Sequence, residues 1–322
     1  MDINLDDSGS DPGVHQSSTP IALLSGGVGG ARLARGLAPL LHDDLTVIVN
    51  VGDDEEVYGV HVSADLDTVL YTLAGRAGPQ GWGVAEDTFT VVETLGSLGV
   101  ETGFRLGDRD LAHCLHRTER LRRGEPLSSI TADVARAMGV TSRLVPATDD
   151  RLRTVIETDD GERLAFQEYF VTRRHRDAVD ALHFDGAPEA RPAPGVLDAV
   201  TEAIAVVIAP SNPPLSIWPI LAVPGVRDAL EKADRVVAVS PLFGGKALKG
   251  PAEAVMRTLG LPPGNAGVLA AYDGIITDLV VDRQDAADAR HLEGDVRIHV
   301  ADTRIAAPDA AVRFAEHLLR LP

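Results

Sequence analysis

The chain has 322 residues, 44% of them hydrophobic, enough to bury a substantial core in one large domain or two intimate ones. Its 48 acidic and 30 basic residues leave a formal net charge of −18, which excludes a general nucleic-acid binder because such proteins need a basic face. No apolar run reaches the ~18–20 residues that span a bilayer, so no membrane partner is expected.

Residues 1–19 carry Asp2, Asp6, Asp7 and Asp11 without a balancing cation and predict a disordered acidic tail. They have neither a basic start nor an apolar segment, so a cytoplasmic chain is expected. Lys232, Lys246 and Lys249 are the only lysines, and this acidic, lysine-poor composition predicts a halophilic, archaeal source. Order is expected from Ile21. A strand over Ile21 to Leu24 leads into a glycine loop, then a helix in which Leu33, Leu37, Leu40 and Leu41 recur at helical spacing. A second strand covers Thr46 to Val49, and Leu66, Val69, Leu70 and Leu73 form a second helical stripe with Ser63 as its expected N-cap.

Residues 86–140 read as mainly helical, whereas Thr154 to Thr158 and Arg163 to Phe170 flank Asp159-Asp160-Gly161 as a β-hairpin. Prolines 188, 192 and 194 mark a return to α/β alternation. Strands follow at Ile204 to Ala209, Val236 to Val239, Ile275 to Val281 and Val296 to Val300, with helices near Val226 to Lys232, Ala252 to Leu259 and Asp309 to Leu319. The fold class is therefore α/β: a doubly wound, mainly parallel, Rossmann-like sheet built from 20–85 and 195–322. Residues 86–194 form a smaller, mostly helical insertion that contains the hairpin.

Ligands in such sheets sit beyond the carboxyl ends of the strands. The first loop there holds Gly26, Gly27, Gly29 and Gly30, whose amides suit either a phosphate or a tight strand-to-helix turn. It is not a dinucleotide fingerprint, because Arg32 stands where the G-x-G-x-x-G pattern wants a small residue. Asp53 and Asp54 end the second strand and are either a solvated acidic loop or ligands for Mg²⁺, a hard cation. Asp65 and Asp67 lie in the first turn of a helix, where dipole complementation is an equal explanation. Arg105 and Arg109 flank Asp108, itself a reasonable N-cap, and their forked guanidinium groups suit phosphate or ring carbonyls. Ser211, Asn212 and Ser216 project from a proline-stiffened loop, and Lys246 and Lys249 follow another strand as candidate anion binders. Cys114, the single cysteine, reads as a small buried hydrophobe.

In this order the blocks SGGVGGARL, VIVNVGDD, SADLDTVLYTLAG, GWGVAEDTF, FRLGDRD, APSNPPLSIWPIL and VSPLFGGKALKGPA, over residues 21–259, resemble the 2-phospho-L-lactate transferase (CofD) family of coenzyme F-420 biosynthesis. The resemblance implies transfer of a phospholactyl or phosphoenolpyruvyl group from a guanosine diphosphate-linked three-carbon acid to the hydroxyl of the deazaflavin Fo, releasing GMP. It implies that Asp67 and Arg105 contact Fo, that Mg²⁺ is held by Asp53 first and then Asp54, and that Asp53 and Asp67 are catalytic. The glycine loop with Ser211 and Asn212 would line the nucleotide side, and a homodimer would be the working state. Two departures stand out: Val28 replaces the threonine of many members, and the segment around Lys246 differs from shorter or more apolar versions. The competing expectation is a non-catalytic, nucleotide-sugar-binding regulatory protein of the same superfamily.

Overall fold

The computed structural model describes residues 19–247, 252–292 and 294–322; apart from Thr19 the expected acidic tail lies outside them, as does Lys249. Seven parallel strands form the central sheet: β1 (Ile21–Ser25), β2 (Leu45–Val49), β3 (Arg143–Pro146), β4 (Ala205–Ile208), β5 (Val236–Val239), β6 (Asp278–Asp282) and β7 (Arg297–Ala301). Their spatial order is β7-β6-β5-β4-β1-β2-β3. Residues of both parities in β1 are buried, from Ile21 to Ser25, so both faces of the sheet are covered, as the near-continuous apolar run of the strand requires.

The chain runs outward from β1 to β3 and then returns to start the other half at β4. The switch point therefore lies between β1 and β4, whose partners run from Ile21↔Ala205 to Leu24↔Ile208. The glycine loop after β1 and the Ser211-Asn212 loop after β4 emerge side by side there. Helix α1 (Gly27–Leu41) follows β1 and packs on α2 (Ala64–Leu73) and on the closing helix Pro308–Leu319.

The helical stretch after α2 comprises α3 (Thr90–Ser97), α4 (Asp108–Arg122) and α5 (Leu127–Ala137). Asp108 does not cap its own helix; Gly107 takes that place. Its carboxylate instead accepts hydrogen bonds from the amides of Thr90 (3.1 Å) and Val91 (3.0 Å) at the start of α3. In return Asp87 accepts from the amides of Arg109 (2.8 Å) and Asp110 (3.1 Å) at the start of α4. The two helices are thus capped crosswise, which fixes how α4 enters the site.

Two expectations change in detail. The segment 86–194 contributes β3 to the edge of the central sheet. The second arm of the hairpin is only Arg163–Ala165, because Glu168–Thr172 turns into a π-helical loop; Val179–Asp185 supplies a third antiparallel strand on the other side of Arg153–Thr158. Ile156, Leu164, Tyr169 and Val179 of this layer bury against Leu215 and Val255, which fastens it over the β4 loop.

Candidate functional site

A cavity of about 1100 Å³ opens at the switch point. Its walls include Gly26, Gly27 and Gly29, Asp53, Asp65 and Asp67, Arg105, Ser211 and Asn212, with Pro241, Phe243 and Ala247 from the segment around Lys246, so residues from every loop singled out above meet in one space. Gly30 and Asp54 are not in its wall, and Lys246 lies exposed on a short hairpin, Leu242–Phe243 with Lys246–Ala247.

On the β1 side, α1 begins at Gly27 with no cap from Gly26; Asp65 takes the Gly27 amide, and Val28 and Gly29 of the first turn line the cavity. The loop is clamped to its neighbour: Ser211 Oγ donates to the Gly26 carbonyl (2.7 Å) and lies 3.2 Å from the Gly26 amide. Close approach explains the glycines. A Cβ on Gly29 would stand 2.2 Å from the Pro210 carbonyl oxygen, and one on Gly26 would stand 2.6 Å from Asp65 Oδ2. Gly29→Ala is accordingly expected to destabilise the chain by about 1–3 kcal/mol, read as a lower urea midpoint. An unchanged midpoint would mean that the two loops are free to separate.

At the end of β2 a corner of acids is buried. Asn50 Nδ2 donates to both Asp53 Oδ1 and Asp65 Oδ2 (3.0 Å), so one amide holds two carboxylates together. Burial, then the charges of Asp65 and Asp54, push the Asp53 carboxyl well above the usual range. Burial also raises Asp65, to about 6, although the Asn50 and Gly27 hydrogen bonds pull the other way. Asp54 turns aside, accepting from Ser63 Oγ (2.7 Å) with His61 Nε2 at 2.9 Å, while its buried Oδ1 has no hydrogen-bond partner among the described residues. Ser63 therefore precedes α2 without capping it through its side chain. An all-oxygen, anionic, desolvated corner fits a hard divalent cation; Asp53 and Asp65 border the cavity, whereas Asp54, whose Oδ1 is the orphaned oxygen, lies behind them outside its wall.

The opposite wall is built by α2 and α4. Asp67 is buried and clasped by both guanidinium nitrogens of the equally buried Arg117, with Nη1–Oδ2 at 3.0 Å. Burial works against the charged guanidinium, but Asp67 outweighs it and holds the Arg117 pKa above its ordinary value. His113 Nδ1 stands 3.4 Å from Asp67 Oδ1 and 2.7 Å from the Tyr71 hydroxyl, which donates to Asp110 Oδ1 at 2.7 Å. Burial, then Asp67, lifts Asp110 to about 7, whereas burial lowers His113 to about 4. Arg105 is exposed at the rim, its guanidinium 4.5 Å from the Phe89 ring centroid. Cys114 is fully buried, and burial raises its thiol above the ordinary value, in keeping with an inert packing role.

Asp110, His113 and Arg117 escaped the sequence reading, although spacings of three and four placed them on one face of α4. Tyr71, four residues after Asp67, carries the same signal on α2. Phe166 and Phe170, stacked at 5.4 Å between centroids, line the cavity from the π-helical loop, where no periodicity marks them.

The sequence profile of 2-phospho-L-lactate transferase CofD matches residues 21–316. A phosphoenolpyruvate transferase of Streptomyces griseus is 41% identical over 310 residues, covering 94% of this chain and 98% of the relative. One from Thermobifida fusca is 43% identical over 311 residues, covering 92% and 95%, and the 2-phospho-L-lactate transferase of Methanopyrus kandleri is 38% identical over 305 residues, covering 94% and 97%. These relatives, mostly actinomycete proteins, do not support the archaeal, halophilic source read from composition. Among solved structures, a UPF0052-family protein of Bacillus halodurans shares the fold, with TM-score 0.61 at 18% identity over 94% of this chain and 99% of that one. Motif order, the cavity at the switch point and these matches over nearly the whole length agree: the chain belongs to the 2-phospho-L-lactate transferase (CofD) family.

Proposed function

We infer that the chain transfers the phosphoryl group bearing a three-carbon acid, lactyl or enolpyruvyl, from a guanosine diphosphate-linked donor to the hydroxyl of the deazaflavin Fo, releasing GMP. The observation that carries this reading is one cavity with three chemically distinct walls: helix amides at α1, an acidic corner at Asp53 and Asp65, and a charged, aromatic-rimmed wall at Asp67 and Arg105. Such transfers need positioning and neutralisation of charge more than covalent chemistry.

In this reading the Val28 and Gly29 amides and the Ser211-Asn212 loop hold the donor's phosphates, assisted by the α1 dipole. Asp53 and Asp65 would hold Mg²⁺, which when bound neutralises the diphosphate and favours departure of GMP. Arg105 and the Phe89 ring give the acceptor a flat cationic edge. Asp67, already paired with Arg117, orders the acceptor wall. A cavity of this size accommodates donor and acceptor together and shields the reacting phosphorus from water.

The test is direct. Purified protein with Fo, Mg²⁺ and either donor should release one GMP per phosphodiester-linked deazaflavin, separated by chromatography and identified by mass. Nucleotide binding without either product would favour the non-catalytic, regulatory reading.

A further inference from the structure

Helices α2 and α4 bring Asp67 and Asp110 to the cavity, and the two carboxylates are not equivalent. Both oxygens of Asp67 are engaged by Arg117, so the pair is satisfied within the protein. Asp110 also borders the cavity, but only its Oδ1 is bonded, by the Tyr71 hydroxyl at 2.7 Å. Among the described residues nothing donates to Asp110 Oδ2, which leaves a fixed carboxylate in the cavity wall with one oxygen free to accept. Its backbone is equally fixed, since the Asp110 amide is held by Asp87 at the start of α4.

Resting on the transferase reading above, we propose that Asp110 is the general base of the reaction: its free carboxylate oxygen takes the proton of the acceptor hydroxyl, while Tyr71 and His113 orient it. A bond forms between the acceptor oxygen and the phosphorus carrying the three-carbon acid. The bond from that phosphorus to the bridging oxygen breaks, and its electron pair leaves with GMP. The proton passes to Asp110 Oδ2 and then to solvent through the cavity mouth.

The surroundings suit this role. Asp110 sits near neutral pH through burial and the neighbouring Asp67 charge, against the pull of Arg117, with Asp87 adding a smaller upward push. A base is most effective when its affinity for protons lies near the working pH. Burial keeps His113 neutral, so its Nδ1 proton is available to the Tyr71 oxygen at 2.7 Å, which directs the Tyr71 proton toward Asp110. Burial raises Tyr71 as well, so it remains a donor throughout. Asp67 cannot replace Asp110 without giving up its pairing with a buried guanidinium.

The experiment is steady-state kinetics from pH 5 to 9 on wild type, Asp110→Asn, Asp110→Glu and Tyr71→Phe, with Fo binding followed by fluorescence. Wild-type kcat should fall on the acid side with a midpoint near 7. Asp110→Asn should lose about 10²–10⁴-fold in kcat and lose that acid limb, with the Fo dissociation constant within about threefold. Asp110→Glu should recover part of the rate, and Tyr71→Phe should keep the limb but move its midpoint. A wild-type rate and unchanged pH profile in Asp110→Asn would overturn the assignment alone. A wild-type chain that makes no product from either donor would overturn the transferase reading and the assignment with it.

Discussion

Asp67→Ala is expected to lower the unfolding free energy by about 3–5 kcal/mol and to abolish detectable Fo binding. The stability loss follows from Arg117, which is buried and would be left as an uncompensated charge under α2. Removing a partner from a buried pair costs more than the pair contributes, because the remaining ion keeps its desolvation penalty. The double variant Asp67→Ala/Arg117→Met should therefore regain most of the lost stability in urea titrations, since Met fills similar volume without charge. It should not regain Fo binding, because the ordered acceptor wall would still be missing. If Asp67→Ala unfolded at the wild-type urea concentration, the clasp would have no structural role. If the double variant bound Fo normally, Asp67 would not belong to the acceptor wall at all.

The pairing of Asp67 with Arg117 marks the boundary of what the sequence discloses. Strands β1, β2 and β5 were readable because short apolar runs bounded by turn residues have few alternatives when both faces are buried. Strand β3 was not, since Arg143–Pro146 offers four residues, one an exposed arginine and one a proline. The loops that meet at the switch point were legible from position alone, because parallel sheets place them there whatever their composition. Pairings across distance were not. Asp67 and Arg117 are fifty residues apart, and the crosswise capping by Asp87 and Asp108 joins loops about twenty residues apart. An acidic residue near a helix start predicts a cap, but which helix it caps is decided by tertiary structure. Ser63 shows the same limit: its hydroxyl serves Asp54 and not α2.

Asp53→Asn is expected to abolish Mg²⁺-dependent turnover, by at least about 100-fold in kcat, while making the metal-free protein more stable at alkaline pH. The two effects share a cause. Burial and neighbouring acids raise the Asp53 and Asp65 carboxyls above their unfolded values, so the folded state holds protons that the unfolded state has released. Stability of the metal-free chain must then fall as pH rises from about 4 through the raised folded-state values, the Asp65 part near 6. Between pH 8 and pH 5 the melting temperature of metal-free wild type should increase by on the order of 5 °C. An amide at position 53 can still accept the Asn50 hydrogen bond but carries no charge beside Asp65, so the variant should show a shallower slope and a higher melting temperature at pH 8. Millimolar Mg²⁺ should raise the wild-type melting temperature at pH 8 more than at pH 5, where protons compete for the same oxygens, and should leave the variant nearly unmoved. Equal Mg²⁺ stabilisation of both proteins would remove Asp53 from the metal site, and an unchanged pH slope would show that Asn50 and the Gly27 amide already neutralise the corner. The positive outcome would mean that this site is kept unstable in its empty state so that the cation binds where the diphosphate must sit, which is the trade of stability for function expected where like charges are held together by a single amide.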